Sequence, residues 1–83
     1  MKDGVSGMLL ALAELPVGMS AEVVALGEEL RGRKKFADVG VVPGMKLVMQ
    51  SHAPFGGLLR VKVLGSTIAL HRSEGKNIQV RAY

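Results

Sequence analysis

The sequence predicts a small, mainly β protein: a partly open barrel of five short strands, with one short helix between the first two. Three observations carry that prediction. Residues 36–57, FADVGVVPGMKLVMQSHAPFGG, enter an apolar strand through one glycine-marked turn and leave it through another. Within that stretch Met45, Leu47 and Met49 alternate with Lys46, Val48 and Gln50, the period-two mark of a strand with one buried face. Four further stretches, 21–26, 58–64, 67–72 and 78–82, also read as strands. Five short strands that must hide one face without a second sheet do so by curling, which also shortens their exposed edges.

The elements follow in order. Residues 1–7 read as a flexible tail ahead of one domain, 8–83, since no linker, low-complexity stretch or internal repeat divides the chain. Residues 8–15 suit a short helix or an extended arm whose leucines pack on the body. Pro16 ends it, because the residue before a proline is pushed out of the α region. In the first strand Val23 and Ala25 share one face, and Glu22, Val24 and Leu26 the other. Residues 28–39 form the one substantial helix. Leu30, Lys34 and Ala37, with Phe36 and Val39 beside them, make a partial apolar stripe, and Glu28 and Glu29 sit in the first turn where the helix dipole favours acids. Gly32 weakens its middle by about 1 kcal/mol relative to alanine, so the helix depends on packing.

Gly40 suits the left-handed position just past the helix end, and Pro43-Gly44 suits the two central positions of a type II turn. After the strand 45–53 the chain turns again at Pro54, Phe55, Gly56 and Gly57. Leu59, Val61 and Val63 then point inward, Gly65-Ser66 reads as a two-residue hairpin loop, and Ile68 and Leu70 continue the core. Residues 73–77 read as one helical turn capped by Ser73, and Ile78 and Val80 complete the inward set. Lys46, Arg60, Lys62 and Arg81 take outward strand positions.

Composition limits the function. A chain of 83 residues buries only about 60–65% of its unfolded surface, so its stability is expected to be a few kcal/mol. It has no cysteine, hence no disulfide and no thiolate metal site, which fits a reducing cytoplasm. The longest unbroken apolar run, 8–13, is six residues, against the roughly 20 needed to cross a bilayer. No membrane insertion is expected.

Several motifs together resemble the ferrous iron transport protein A (FeoA) domain, which also occurs as the C-terminal SH3-like module of some iron-dependent repressors. The matching pieces are LAELPVG at 12–18, AEV at 21–23, ADVGVVPG at 37–44, APFGG at 53–57, IALHR at 68–72 and IQV at 78–80. They stand in the right order and spacing over residues 9–82, and the DxGxxPG and APxGG pieces together are fairly specific. Val39 and the pair Val41-Val42 stand where such domains often carry leucines. The resemblance implies an SH3-like barrel, no catalysis of its own, and a cytoplasmic role in bacterial ferrous iron uptake. Its implied partner is the cytosolic, guanine-nucleotide-binding part of the ferrous iron transporter.

The residues themselves offer little chemistry. His52 and His71 lie at strand ends without a cysteine to activate, and each reads as a satisfied or solvent-facing histidine. Residues 27–32 have the GxxxxG spacing of a phosphate loop, but Arg33-Lys34 replaces the required Lys-Ser/Thr pair and two glutamates would repel phosphate. No clustered ligand motif offers a metal site. His52, His71 and Glu74 are the set that folding alone can bring together, and iron in the family name is not an iron site here. No cofactor is expected.

Charge gives the remaining signal. The net charge is +4, and Arg31, Arg33, Lys34 and Lys35 crowd into five positions. Glu28, Glu29 and Asp38 reduce that helix to four cations less three acids, +1. Two function classes follow. The first is an interaction module whose basic helix steers an acidic partner surface while Leu26, Leu30 and Phe55 supply apolar anchors. The second is a small basic barrel that binds RNA or the ribosome, which the shortage of aromatics for base stacking disfavours.

Overall fold

A computed structural model of the chain describes residues 8–28, 33–53 and 57–82. The expected tail at 1–7, the first part of the helix at 29–32 and the turn residues Pro54, Phe55 and Gly56 lie outside them.

Six antiparallel strands form one sheet in the order β1-β6-β2-β3-β4-β5. They are β1 (Leu9–Ala11), β2 (Ser20–Leu26), β3 (Lys46–His52), β4 (Leu58–Val63), β5 (Ser66–His71) and β6 (Ile78–Ala82). Two short helices, α1 (Arg33–Asp38) and α2 (Arg72–Gly75), and a 3-10 turn at Leu12–Glu14 complete the described elements. One strand more than expected is present. The N-terminal segment is neither simply a helix nor simply an arm: Leu9 to Ala11 pair with β6, and the chain then tightens into the 3-10 turn that buries Leu12 and Ala13.

The core is built from alternation. Leu47 and Met49 on β3, Leu59, Val61 and Val63 on β4, Leu70 on β5, and Ile78, Val80 and Ala82 on β6 are buried, while Lys46, Arg60, Lys62 and Arg81 stand exposed between them. Ile68 and Leu10 are half-buried and pack against this set. Leu12, Leu15, Phe36 and Val41 close it from outside the long strands.

Four local expectations are corrected. On β2 a bulge lies between Val23 and Ala25: Val23 pairs with inward Val80, but Ala25 then pairs with exposed Gln79 and Leu26 with buried Ile78. The one-residue slip turns Ala25 outward and Leu26 toward the core, because side chains alternate with period two. The buried residue of α1 is Phe36, whereas Lys34 and Ala37 are exposed, so the described turns do not present the 30/34/37 stripe to the core.

The hairpin between β4 and β5 turns at Leu64-Gly65, not Gly65-Ser66, since Val63 pairs with Ser66 and both loop residues have positive φ, 52° and 80°. That is a type I′ loop, whose twist matches the strands. Finally, the cap of α2 lies two residues earlier than expected, with His71 at the N-cap in place of Ser73.

The two turn expectations that open β3 hold. Gly40 has φ +98°, its N–H bonds the Ala37 carbonyl at 3.1 Å, and the Val41 N–H bonds the Phe36 carbonyl at 2.8 Å, the paired bonds of a Schellman helix end. Gly44 has φ +94° behind Pro43, and the Met45 N–H closes the turn on the Val42 carbonyl at 3.0 Å, as type II requires.

Candidate functional site

Of the expected basic cluster, Lys34 and Lys35 are exposed on α1. Leu30, Arg31 and Phe55 lie outside the described residues, as does the side chain of Arg33. Leu26 is half-buried against the core, a consequence of the β2 bulge.

Lys35 is committed within the fold. Its Nζ donates to Glu74 Oε2 at 3.2 Å and stands 5.1 Å from the centroid of the Phe36 ring. The charge of Lys35 is thus held toward α2, and Lys34 is exposed and has no such tie among the described residues. Glu74 is the joint. Its other oxygen, Oε1, accepts the His71 N–H at 2.8 Å, so one carboxylate caps α2 and fastens α1 across 39 residues of sequence. Partial burial alone would raise the Glu74 carboxyl. The His71 N–H bond, then the hydrogen bond and charge of Lys35, outweigh it and hold the carboxyl below its ordinary value.

Sequence reasoning considered Glu74 only as a metal ligand. The signal available was the three-residue spacing from the N-cap to an acid, and histidine in place of the usual Ser, Thr, Asp or Asn at the cap hid it.

The histidines part company across the sheet. His52 pairs with Leu59, which is fully buried, so His52 lies on the inner face, where its ring Nε2–H donates to the Leu15 carbonyl at 2.7 Å. His71 pairs with Leu58, one position along, and is exposed on the outer side. Adjacent positions on a strand face opposite ways, so the set of His52, His71 and Glu74 does not converge. Among the described residues no three His, Cys, Asp or Glu side chains are placed to hold a metal ion. His52 instead fastens the end of β3 to the N-terminal segment.

Gly75 was not singled out by the sequence, yet it is buried where α2 crosses the 3-10 turn. A Cβ there would lie 2.7 Å from Leu59 Cδ1 and 3.2 Å from the Ala13 nitrogen. The close approach sets how near α2 and the Glu74 tie sit to the barrel.

The FeoA domain model matches residues 10–82, nearly the whole chain. The chain belongs to the FeoA domain family. Solved structures agree with that. The solution structure of the FeoA protein from Chlorobium tepidum is 33% identical, with a TM-score of 0.81 over 88% of this chain and 70% of that one. A crystal structure described as an iron uptake regulatory protein (FeoA) is 25% identical, with a TM-score of 0.79 over 92% and 99% of the two chains. Stenotrophomonas maltophilia FeoA, a prokaryotic SH3 domain protein crystallised with zinc, is 29% identical, with a TM-score of 0.72 over 86% and 88%. No curated protein sequence matches the chain. The expected FeoA identity and SH3-like architecture therefore stand, and the family ties this domain to ferrous iron transport. Among the described residues no helix is long and apolar enough to cross a membrane.

Proposed function

We propose that this FeoA domain is a non-catalytic, cytoplasmic interaction module that supports bacterial ferrous iron uptake by docking on the cytosolic, guanine-nucleotide-binding part of the ferrous iron transporter. The family match over residues 10–82 carries this reading. The docking region is the basic helix, Arg31, Arg33, Lys34 and Lys35, with Leu26, Leu30 and Phe55 as apolar neighbours. The exposure of Lys34 supports it, and so does the Glu74 tie, which orders the helix before a partner arrives and so lowers the entropy lost on binding. RNA is the weaker alternative: Phe36, one of three aromatics in the chain, is 2% exposed and offers no face to a base.

Calorimetry of the wild-type chain against the transporter's cytosolic portion, with and without guanine nucleotide, tests the partner. Reversal of Arg31, Arg33, Lys34 and Lys35 to glutamate tests the surface. Binding that is lost in the folded reversed variant is the expected result. No heat of binding under any nucleotide condition overturns the partner, and undiminished binding by the variant moves the interface elsewhere on the barrel.

A further inference from the structure

The outer face of β4 carries a row that the helix leaves unused. Leu58, Arg60 and Lys62 alternate outward along the strand, and Leu64 follows in the hairpin loop. Leu58 is half-buried, Arg60 and Lys62 are exposed, and Leu64 is 71% exposed. Along the strand, neighbours in the row stand about 6.5–7 Å apart, two residues of extended chain.

Beside this row the residues in register are short, and only Gln50, at the register shift of β3, reaches across β4, where its Oε1 accepts the Thr67 hydroxyl at 2.7 Å. Arg60 sits between Ser51 and Ala69, and Lys62 between Val48 and Thr67. None of the four flanking residues is acidic, and none is long enough to cover a lysine or arginine head. Elsewhere on the same face the arrangement is different: Glu22 lies in register with Arg81 on one side and Lys46 on the other, where opposite charges on adjacent strands attract. Among the described residues Arg60 and Lys62 meet no carboxylate.

Leu64 is the second, independent observation. It is the one described non-glycine residue with positive φ, 52°, a backbone region that a bulky side chain enters at a cost. The core gains little from it at 71% exposure, and Asn or Gly would fit the loop better. Its Cδ1 leans toward Gly40, and Val39, next to Gly40, is 41% exposed. Strain kept in an exposed apolar residue points to a contact made outside the chain.

We propose that this row docks an extended acidic segment of a protein partner, whose carboxylates at alternate positions meet Arg60 and Lys62 while an apolar residue covers Leu64 and Val39. The period of an extended chain matches the spacing of the row, so both ion pairs form without bending either backbone. Apolar members at both ends of the row suit a peptide. A phosphate chain offers them nothing, and its bases would lack an exposed aromatic in Phe36. The row is separate from α1, so it adds a second contact surface to the domain whatever the helix binds.

An amide-shift titration of the intact chain with the synthetic peptide Leu-Ser-Glu-Ser-Glu-Ser-Leu tests this. Shifts confined to β3, β4, β5, the 63–66 hairpin and Val39 are expected, and a peptide with lysines in place of the glutamates should produce none. Arg60→Glu with Lys62→Glu should weaken the dissociation constant by about tenfold, the effect of two exposed charge contacts. Leu64→Asn, which keeps the left-handed loop, should weaken it by about threefold without lowering the melting temperature. Peptide shifts on α1 alone, or a folded double variant that binds like the wild type, overturn the proposal. Binding at this row by an oligouridine or by phosphatidylglycerol vesicles, with none by the peptide, overturns it equally. The titration contains no transporter, so its failure and that of the transporter reading are distinguishable.

Discussion

Replacing Gly44 by valine isolates the backbone cost of the turn that launches β3. Gly44 sits at φ +94°, its N–H bonds the Val23 carbonyl at 2.8 Å, and the next residue closes the turn on Val42. A Cβ at this position meets no atom within 4 Å, so no clash with the rest of the fold contributes. What remains is the penalty for an L-residue in left-handed backbone, about 1–2 kcal/mol, with a β-branched side chain at the upper end. For a domain of this size each kcal/mol moves the melting temperature by about 4–8 °C, so the variant should melt about 5–15 °C lower. Thermal unfolding followed by circular dichroism at neutral pH reads this directly. Gly44→Asn is the matched control, because asparagine tolerates positive φ, and it should lose less than half as much. A valine variant with the wild-type midpoint, or an asparagine variant as damaged as valine, refutes a cost located in the turn backbone.

Other outcomes follow from the same packing. Gly75→Ala places its methyl against Leu59 and the Ala13 backbone, and the Ala13 nitrogen cannot swing aside as a side-chain tip can. The variant should lose about 1–3 kcal/mol in urea unfolding, and an unchanged midpoint would mean that α2 has room to move. Glu74→Ala removes the α2 cap and the Lys35 tie and should cost about 1 kcal/mol near neutral pH. Because the folded Glu74 carboxyl lies below its ordinary value of 4.5, its stabilisation is fully present above that value and is lost as pH falls through the folded pKa. Wild type and variant should therefore converge in acid, and a gap that widens there contradicts the reading. With His52 bonded inward and His71 facing out, the isolated chain should retain no Fe²⁺ in anaerobic dialysis at micromolar metal. One equivalent kept by the wild type and lost by His52→Ala/His71→Ala shows that the histidines act together after all.

Where the sequence was informative, local chemistry had one solution. Proline followed by glycine, or glycine past a helix end, restricts the backbone whatever surrounds it, and Gly40 and Gly44 take the conformations their neighbours demand. The inward residues of β4 and β6 were legible for a related reason: strict alternation leaves only one face to bury. The β2 bulge was not legible, since a single extra residue in one strand is decided by what β6 offers opposite it. The hairpin register was missed because Gly65-Ser66 satisfies a glycine-first loop locally. Pairing Val63 with Ser66 keeps Ile68 and Leu70 on the core side and forces Leu64 into positive φ.

The candidate surfaces divide along the same line. Sequence alone determined that the chain is basic, that cations occupy alternate outward positions on the strands, and that its motifs are those of a FeoA domain. Only tertiary structure decided which of those cations meet a carboxylate of the fold and which, among the described residues, do not. Lys35 meets Glu74 across 39 residues, and Arg60 and Lys62 stand among small neighbours supplied by two other strands. The physical reason is that a charge acts through whatever lies within a few ångströms of it. In a sheet protein most of those neighbours come from distant parts of the chain, where strand pairing and not sequence adjacency sets the distance.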